Sequence, residues 1–385
     1  MKLRRFNVMG WMGPVFFGLA ALGTAHAQQV LPAYKVGTTL ATPSGAQYVE
    51  VLSLNNLGQV AGFTHKLGGT WPSTGGVDVW FGVTLPILTT SRSEKIQPVI
   101  WKNGKPTLLP RYWGLYDALA YQVSDNGWVV GGAARSSSNA VNKMYQAALW
   151  KDGNLVDLKA GEGSARWTDG VHVNSSGVVL AYNTATRQAF LWRNGVVENL
   201  PKQARAGGGA MGPLGLTDDG RVLFATADDE LYLWAAGQFT QVPMPTNQRL
   251  VSARISSNGW VVGTSRPEDQ LYGLRTVFTY KDGVTRVMPD VNALIPGNFL
   301  KLVSVADGGS VLFYWTVFGR GHEVPMLWKG DSVATVASLL PVGTSKFPDG
   351  SPGPVEAYDM NDKGQILAQI ISAGQKNVIL NPVAP

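Results

Sequence analysis

Of the chain's 385 residues 45% are apolar and 15% charged, so it can bury a core and is not globally disordered. Its 46 glycines and 22 prolines supply many turns without collagen-like or low-complexity composition. The formal charge of +6 drops to +3 when Lys2, Arg4 and Arg5 are set aside, and no Lys/Arg run interleaves with aromatics, which excludes nucleic-acid binding.

The first element is an address. Lys2-Leu3-Arg4-Arg5, an apolar stretch from Val8 to Leu22 and Ala25-His26-Ala27 form the charged, hydrophobic and cleavable parts of a secretory signal peptide. Gly10, Gly13, Pro14 and Gly18 interrupt the apolar run, which disfavours a membrane anchor of ~20 apolar residues. Cleavage is expected after Ala27, giving a periplasmic or secreted chain. A Sec-type route is expected, although Arg4-Arg5 leaves twin-arginine export open. With no cysteine anywhere, there is no disulfide, no thiolate metal site and no lipidated mature end. The longest later apolar run, Val311 to Phe318, has the length of a buried strand, so no membrane span is expected after the signal.

Next comes an orphan strand, residues 33–40. A repeating unit follows it. Asn55-Asn56-Leu57-Gly58, within Leu52 to Gly62, has six relatives centred on Gly127, Gly177, Gly220, Gly259, Gly309 and Gly364. Four places before each glycine stands Leu54, Val123, Val173, Leu216, Ile255, Val305 or Met360; two places after it stands a Val or Ile. Apolar residues at even offsets about a polar turn predict a tight β-hairpin, whose glycine takes a positive φ. A second half-unit follows each of the first six hairpins: a strand with Trp101, Trp150, Trp192, Trp234, Tyr280 or Trp328, a Gly turn and another strand. Four strands per unit, with anchor glycines 39 to 69 residues apart, predict propeller blades. Strands apolar on both faces agree with blades sandwiched between neighbours. The last unit, ending in Val378-Ile379-Leu380-Asn381, lacks a fourth strand, and residues 33–40 offer one. The expectation is a single all-β domain over residues 28–385: a seven-bladed β-propeller of four-stranded antiparallel blades, closed by pairing of the N- and C-terminal strands.

The I/V-N-x-x-G-x-V-x-G hairpin paired with an A-F-L-W-x-x-G strand resembles the HAF-repeat family of bacterial proteins, regarded as extracellular. The motif stands best at Leu54 to Gly62, Ala189-Phe190-Leu191-Trp192 and Met360 to Ile366, and the resemblance covers nearly all of residues 47–382. Gln146 and Gln188 stand where the family motif has its histidine. The resemblance implies fold and export and assigns no catalytic residue.

Chemistry is sparse. His65, His172 and His322 remain after signal removal, none at metal-ligand spacing from another, and no H-E-x-x-H occurs. His172 sits at an odd offset in a first strand, which reads as a satisfied inter-blade histidine; His65 and His322 read as loop residues between second and third strands. No nucleophile elbow, P-loop or dinucleotide fingerprint is present, and Gly207-Gly208-Gly209 reads as a loop. The Asp-rich turns lack alternating calcium-ligand spacing. No catalytic residue, metal or cofactor is therefore assigned. Recurrent Trp101, Trp150, Trp192, Trp234 and Trp328 read as packing residues. Trp71, Trp80, Trp113 and Trp167 fall outside the repeat, in the connections opposite the tight turns, where length varies most. Ligand sites concentrate in such loops. With His65, Arg166 and His322 they form the candidate ligand face. A monomeric, non-catalytic binding or scaffold propeller recognising a glycan or an envelope or extracellular protein is expected. The alternative is a hydrolase or lyase acting on polysaccharide. A carboxylate pair ~5–10 Å apart, a His–carboxylate contact or a metal cluster in the central mouth would favour the enzyme.

Overall fold

A computed structural model describes residues 31–66, 74–78, 84–88, 95–112, 117–134, 145–158, 168–183, 186–201, 212–226, 229–269, 275–288, 299–316, 323–345, 354–371 and 375–383. Seven four-stranded antiparallel sheets form the blades of a propeller. From the axis outward, blade 1 holds Tyr48–Leu54, Val60–Lys66, Lys95–Lys102 and Lys105–Leu108. Blade 2 holds Ala118–Val123, Val129–Ala134, Tyr145–Lys151 and Asn154–Asp157; blade 3 holds Thr168–Val173, Val179–Asn183, Gln188–Arg193 and Val196–Asn199. Blade 4 holds Gly212–Leu216, Val222–Ala225, Leu231–Ala235 and Gln238–Val242; blade 5 holds Gln248–Ile255, Val261–Pro267, Thr276–Lys281 and Val284–Val287. Blade 6 holds Phe299–Val305, Val311–Thr316, Glu323–Lys329 and Ser332–Thr335.

Blade 7 is built from both ends of the described chain. Val355–Met360, Ile366–Ile370 and Lys376–Pro382 are completed by Tyr34–Thr39, which runs antiparallel to the last of them, Tyr34 opposite Pro382 and Thr39 opposite Val378. The spare strand at one end thus fills the deficit at the other. Two details go beyond the repeat reading. Thr74–Asp78 and Thr84–Leu88 pair as a small hairpin within the long blade 1 connection, which the sequence marked as loop. A four-residue 3₁₀ turn, Val336–Leu339, follows blade 6, with the Thr335 side chain accepting from Ser338 N–H at 3.1 Å. Among the described residues no helix is long and apolar enough to cross a membrane.

The core lies in the seams between blades. Trp150 of blade 2 packs with Ala61 and Ile100 of blade 1, Trp192 of blade 3 with Val130 and Leu149 of blade 2, and Trp101 with Leu367 and Ile379 of blade 7. Each ring therefore fills the seam towards the preceding blade, which explains its recurrence. Two of these indoles also anchor the backbone beyond the blade: Trp101 Nε1–H donates to Ala41 O at 2.8 Å and Trp150 Nε1–H to Pro110 O at 2.7 Å.

Candidate functional site

The innermost strands surround a central channel holding a cavity of about 460 Å³, with lining residues from all seven blades. Its walls are shaped by an irregularity the sequence did not announce: every first strand carries a β-bulge. In six blades the residue skipped by the register lies six places before the anchor glycine, as at Leu52, Tyr121, Val171 and Tyr358. A bulge bends a strand and re-aims its side chains. Here the following residue turns towards the next blade. Ser53 Oγ accepts from Val123 N–H at 2.8 Å, Gln122 Oε1 from Val173 N–H at 2.7 Å, and Asp359 Oδ2 from Leu54 N–H at 2.8 Å. His172 hydrogen-bonds the Leu214 backbone of blade 4, so the inter-blade reading of this histidine stands, and it also lines the channel.

A second circle runs through the tight turns at one mouth. Asn56 N–H donates to Asp125 Oδ1 at 2.7 Å, Asn126 Nδ2–H to Ser175 O at 3.1 Å, and Ser175 N–H to Asp218 Oδ1 at 3.0 Å. Asp218 N–H then donates to Ser257 O at 2.8 Å, Asn258 N–H to Asp307 Oδ1 at 2.8 Å, and Asp307 N–H to Asp362 Oδ1 at 2.6 Å. Asp362 N–H to Asn56 Oδ1, at 2.8 Å, closes the circle. Every seam is crossed, and each donor belongs to the blade preceding its acceptor. The turn aspartates therefore have a structural use, in agreement with the turn-chemistry reading. Among the described residues no group of three His, Asp or Glu could hold a metal ion.

At the channel's middle level the charged groups are few. Arg254 of blade 5, Lys301 of blade 6, His172 of blade 3 and Asp359 of blade 7 all line the cavity. Channel solvent reaches the edges of His172, Arg254 and Asp359, yet surrounding protein atoms make burial the dominant influence on each. Burial, with the Arg254 charge adding to it, lowers His172 to about 4, so its imidazole is neutral at pH 7. Arg254 is lowered by burial to about 10, with Asp359 sustaining its charge. Asp359 is raised by burial to about 6, against the pull of the Leu54 and Met360 N–H groups. Burial also raises the phenols of Tyr314 and Tyr358, and Tyr358 Oη–H donates to Glu356 Oε2 at 2.6 Å.

Of the residues singled out from sequence, Trp71, Trp80, Trp113, Arg166, Trp167 and His322 lie outside the described residues. His65 is not a loop residue. It is the penultimate residue of the second strand of blade 1, 3% exposed, with Nε2 3.6 Å from Glu50 Oε1. The rings of Tyr48 and Phe63 stand 5.7 and 5.4 Å from its own. A His–carboxylate contact exists, but its enclosure keeps it from touching a substrate, so it does not favour the enzyme reading. The channel groups are what sequence reasoning missed, although a signal was present. Ser53, Gln122, His172, Arg254, Ser304 and Asp359 share one offset, five places before the anchor glycine, in otherwise apolar strands.

No family model and no curated protein matches the chain. Among solved structures it is similar to selenomethionine-substituted virginiamycin B lyase from Staphylococcus aureus, at 12% identity and TM-score 0.47 over 91% of this chain and 100% of that one. It is similar also to YCF48 bound to D1 peptide, at 11% and 0.47 over 92% and 100%. The match to YCF48 from Cyanidioschyzon merolae is at 12% and 0.47, over 90% and 98%. Likeness at this distance says nothing of what the present chain binds or converts.

Proposed function

We propose that the chain is an exported, non-catalytic binding propeller, periplasmic or secreted, whose ligand enters by the long-loop face and seats in the central channel. The observation that carries this reading is the cavity of about 460 Å³ lined from all seven blades. Its size lies within the range of small-ligand sites, and such sites combine a few converging polar groups with aromatic walls. The channel offers both, in Tyr121, Gln122, Tyr314 and Tyr358. Export is supported by the three-part pattern of residues 1–27. Entry from the long-loop face is supported by topology. Lys66 pairs with Lys95 at the blade 1 end opposite the Gly58 turn, and the connection between them carries Trp71 and Trp80.

The test uses residues 28–385 on a glycan array and in an envelope-extract pull-down, beside Val171→Trp, which places an indole at a bulge residue lining the channel. Capture by the wild type and its loss in a folded Val171→Trp chain is the expected result. Equal capture by both, or none by the wild type, contradicts it.

A further inference from the structure

Resting on the channel as the ligand site, we infer that it selects an uncharged sugar bearing an N-acetyl group, whose amide carbonyl meets the Tyr314 hydroxyl at the channel wall. Three observations lead there.

The first is the state of the charges. Every charged group of the lining other than the exposed Lys301 already has a partner. Both carboxylate oxygens of Asp125 accept from Asn56, and those of Asp362 accept from Asp307 N–H and Asn56 Nδ2–H. Those of Asp359 accept from Leu54 and Met360 N–H, and Asp218 accepts from Ser175 N–H. Arg254 donates to Ala253 O at 3.0 Å and faces Asp359. The lining therefore holds no spare positive charge for an anion, and its carboxylates are spent on backbone and amide donors. An uncharged ligand fits.

The second is an unused donor. The Tyr314 side chain leaves the second strand of blade 6, crosses the seam and accepts from Ala357 N–H on the first strand of blade 7 at 2.7 Å. Both residues line the channel, and Tyr314 is 8% exposed. Its own proton meets no acceptor among the described residues. Burial raises this phenol well above its usual range, so the proton stays in place. A buried donor left unpaired is costly, which favours a ligand that brings a strong acceptor. Gln122 offers a further donor. Its Oε1 takes the Val173 N–H, which leaves the Nε2 amide without an acceptor among the described residues.

The third is what surrounds these donors. Leu52, Val171, Leu214 and Val303, all at bulges, give the channel aliphatic walls, and Tyr121 and Tyr358 add rings. An acetamido group meets both demands, with its carbonyl towards a donor and its methyl towards the aliphatic wall. A pyranose face suits the phenol rings. The bulges also interrupt the inner edge of every first strand, which opposes pairing with an extended peptide.

The test is calorimetric titration of residues 28–385 at pH 7 with four probes. These are the trisaccharide of N-acetylglucosamine, the same sugar deacetylated to the cationic amine, the glucose trisaccharide of the same linkage, and a hexapeptide capped at both ends. The acetylated sugar is expected to bind at least ~10-fold tighter than each comparator. Tyr314→Phe keeps the ring, removes the O–H and should cut the preference over the glucose trisaccharide roughly 3–10-fold, the worth of about one hydrogen bond. Because that change also strips the acceptor from Ala357 N–H, Gln122→Glu serves as a second variant. It keeps an oxygen for Val173 N–H, removes the amide donor and should weaken the acetylated sugar by a similar factor. Circular dichroism of each variant establishes that it is folded. Tighter binding of the amine, equal binding of the two neutral sugars, preference for the peptide, no binding of any probe, or folded variants that both bind the acetylated sugar like the wild type overturn the inference. If Val171→Trp abolishes binding but the acetyl group makes no difference, the channel reading survives and only the acetamido assignment fails.

Discussion

Inner and outer turns of the same blade carry similar sequences and do different work. Each outer turn, between third and fourth strands, is closed locally. In five blades a non-glycine residue with positive φ, such as Asp152 at 52°, precedes a glycine such as Gly153 at 79°, the double left-handed geometry of a tight hairpin. Around Gly153, Gly195, Gly237 and Gly283 a Cβ would meet nothing within 4 Å. Inner turns also have a left-handed glycine, each N–H closing back three residues, as Gly58 to Asn55 O at 3.1 Å and Gly177 to Asn174 O at 3.0 Å. Around five of them, Gly127, Gly177, Gly220, Gly259 and Gly309, however, a side chain of the neighbouring blade is close, whereas a Cβ at Gly58 would meet nothing within 4 Å. A Cβ at Gly177 would lie 2.3 Å from the Trp128 ring, and one at Gly259 would lie 2.6 Å from the Arg221 guanidinium. Side-chain amides add further ties, from Asn55 to Ser124 O, Asn174 to Thr217 O and Asn361 to Asn55 O. The Asn-x-x-Gly signature is thus mostly a seam device on the inside of the ring, while the Asn/Asp-Gly signature outside mainly reverses the chain. The exception is Gly104, whose carbonyl accepts from Ala41 N–H at 2.9 Å and whose added Cβ would meet Thr39 O at 2.5 Å.

That contrast can be broken at several places. The largest effect is expected from deleting residues 33–40, which exposes the edge of Lys376–Pro382 and uncovers the core around Tyr34 and Leu380. The thermal midpoint should fall further than for any single substitution, and an unchanged midpoint would mean the ends do not close the ring. Trp150→Ala, which empties the seam between blades 1 and 2, should cost ~3–5 kcal/mol in chemical denaturation. Gly153→Ala should cost about 1–2 kcal/mol, the left-handed backbone alone. Gly177→Ala adds overpacking against Trp128 worth roughly another 1–3 kcal/mol, and equal costs at the two glycines would remove the distinction between turns.

Acid distinguishes the channel groups with a smaller effect. Asp359 is raised from its ordinary 3.8 to about 6, so its contribution to stability is present at low pH and is lost as pH rises through about 6. His172 is lowered from 6.5 to about 4, so its contribution is present above 6.5 and is lost as pH falls towards 4. The two oppose each other between about pH 4 and 6. Relative to wild type, acidification from pH 7 to 4 should destabilise Asp359→Asn and stabilise His172→Gln, read from thermal midpoints across the range. Parallel profiles would show that neither group titrates in the folded channel as described. Least costly to stability should be Trp71→Ala, Trp80→Ala, Trp113→Ala and Trp167→Ala. Each is expected to stay within about 0.5 kcal/mol, as surface changes do, while weakening ligand capture. Loss of stability with normal capture would make these tryptophans part of the scaffold.

The scaffold was legible because its causes are local and repeated. A turn glycine needs positive φ wherever it falls, and a seam needs the same indole each time, so Gly127 and Trp150 announce themselves by recurrence. Closure was legible from arithmetic, a fourth strand missing beside 377–381 and one spare at 33–40. The channel was not, because its chemistry sits at one offset occupied by unlike residues. Ser53, Gln122, Arg254 and Asp359 share a position and no side-chain type; a bulge stands directly before Ser53, Gln122 and Asp359, while in the blade of Arg254 it lies further back, at Val251. His65 was misplaced because the second strand of its blade runs on to Lys66, which turns an apparent loop histidine into a buried one.

Amide hydrogen exchange on residues 28–385, resolved to single turns, tests the account most directly. If the inner circle locks the seams and holds the channel open for its ligand, the amides of Asn56, Ser175, Asn258, Asp307 and Asp362 should exchange only with global unfolding, unusually slowly for surface turns. Those of Asn103, Asp152, Asn194 and Asp282 in the outer turns should exchange by local opening. Equal, fast exchange at both sets would contradict the account, leaving the circle of hydrogen bonds without a role in holding the ring.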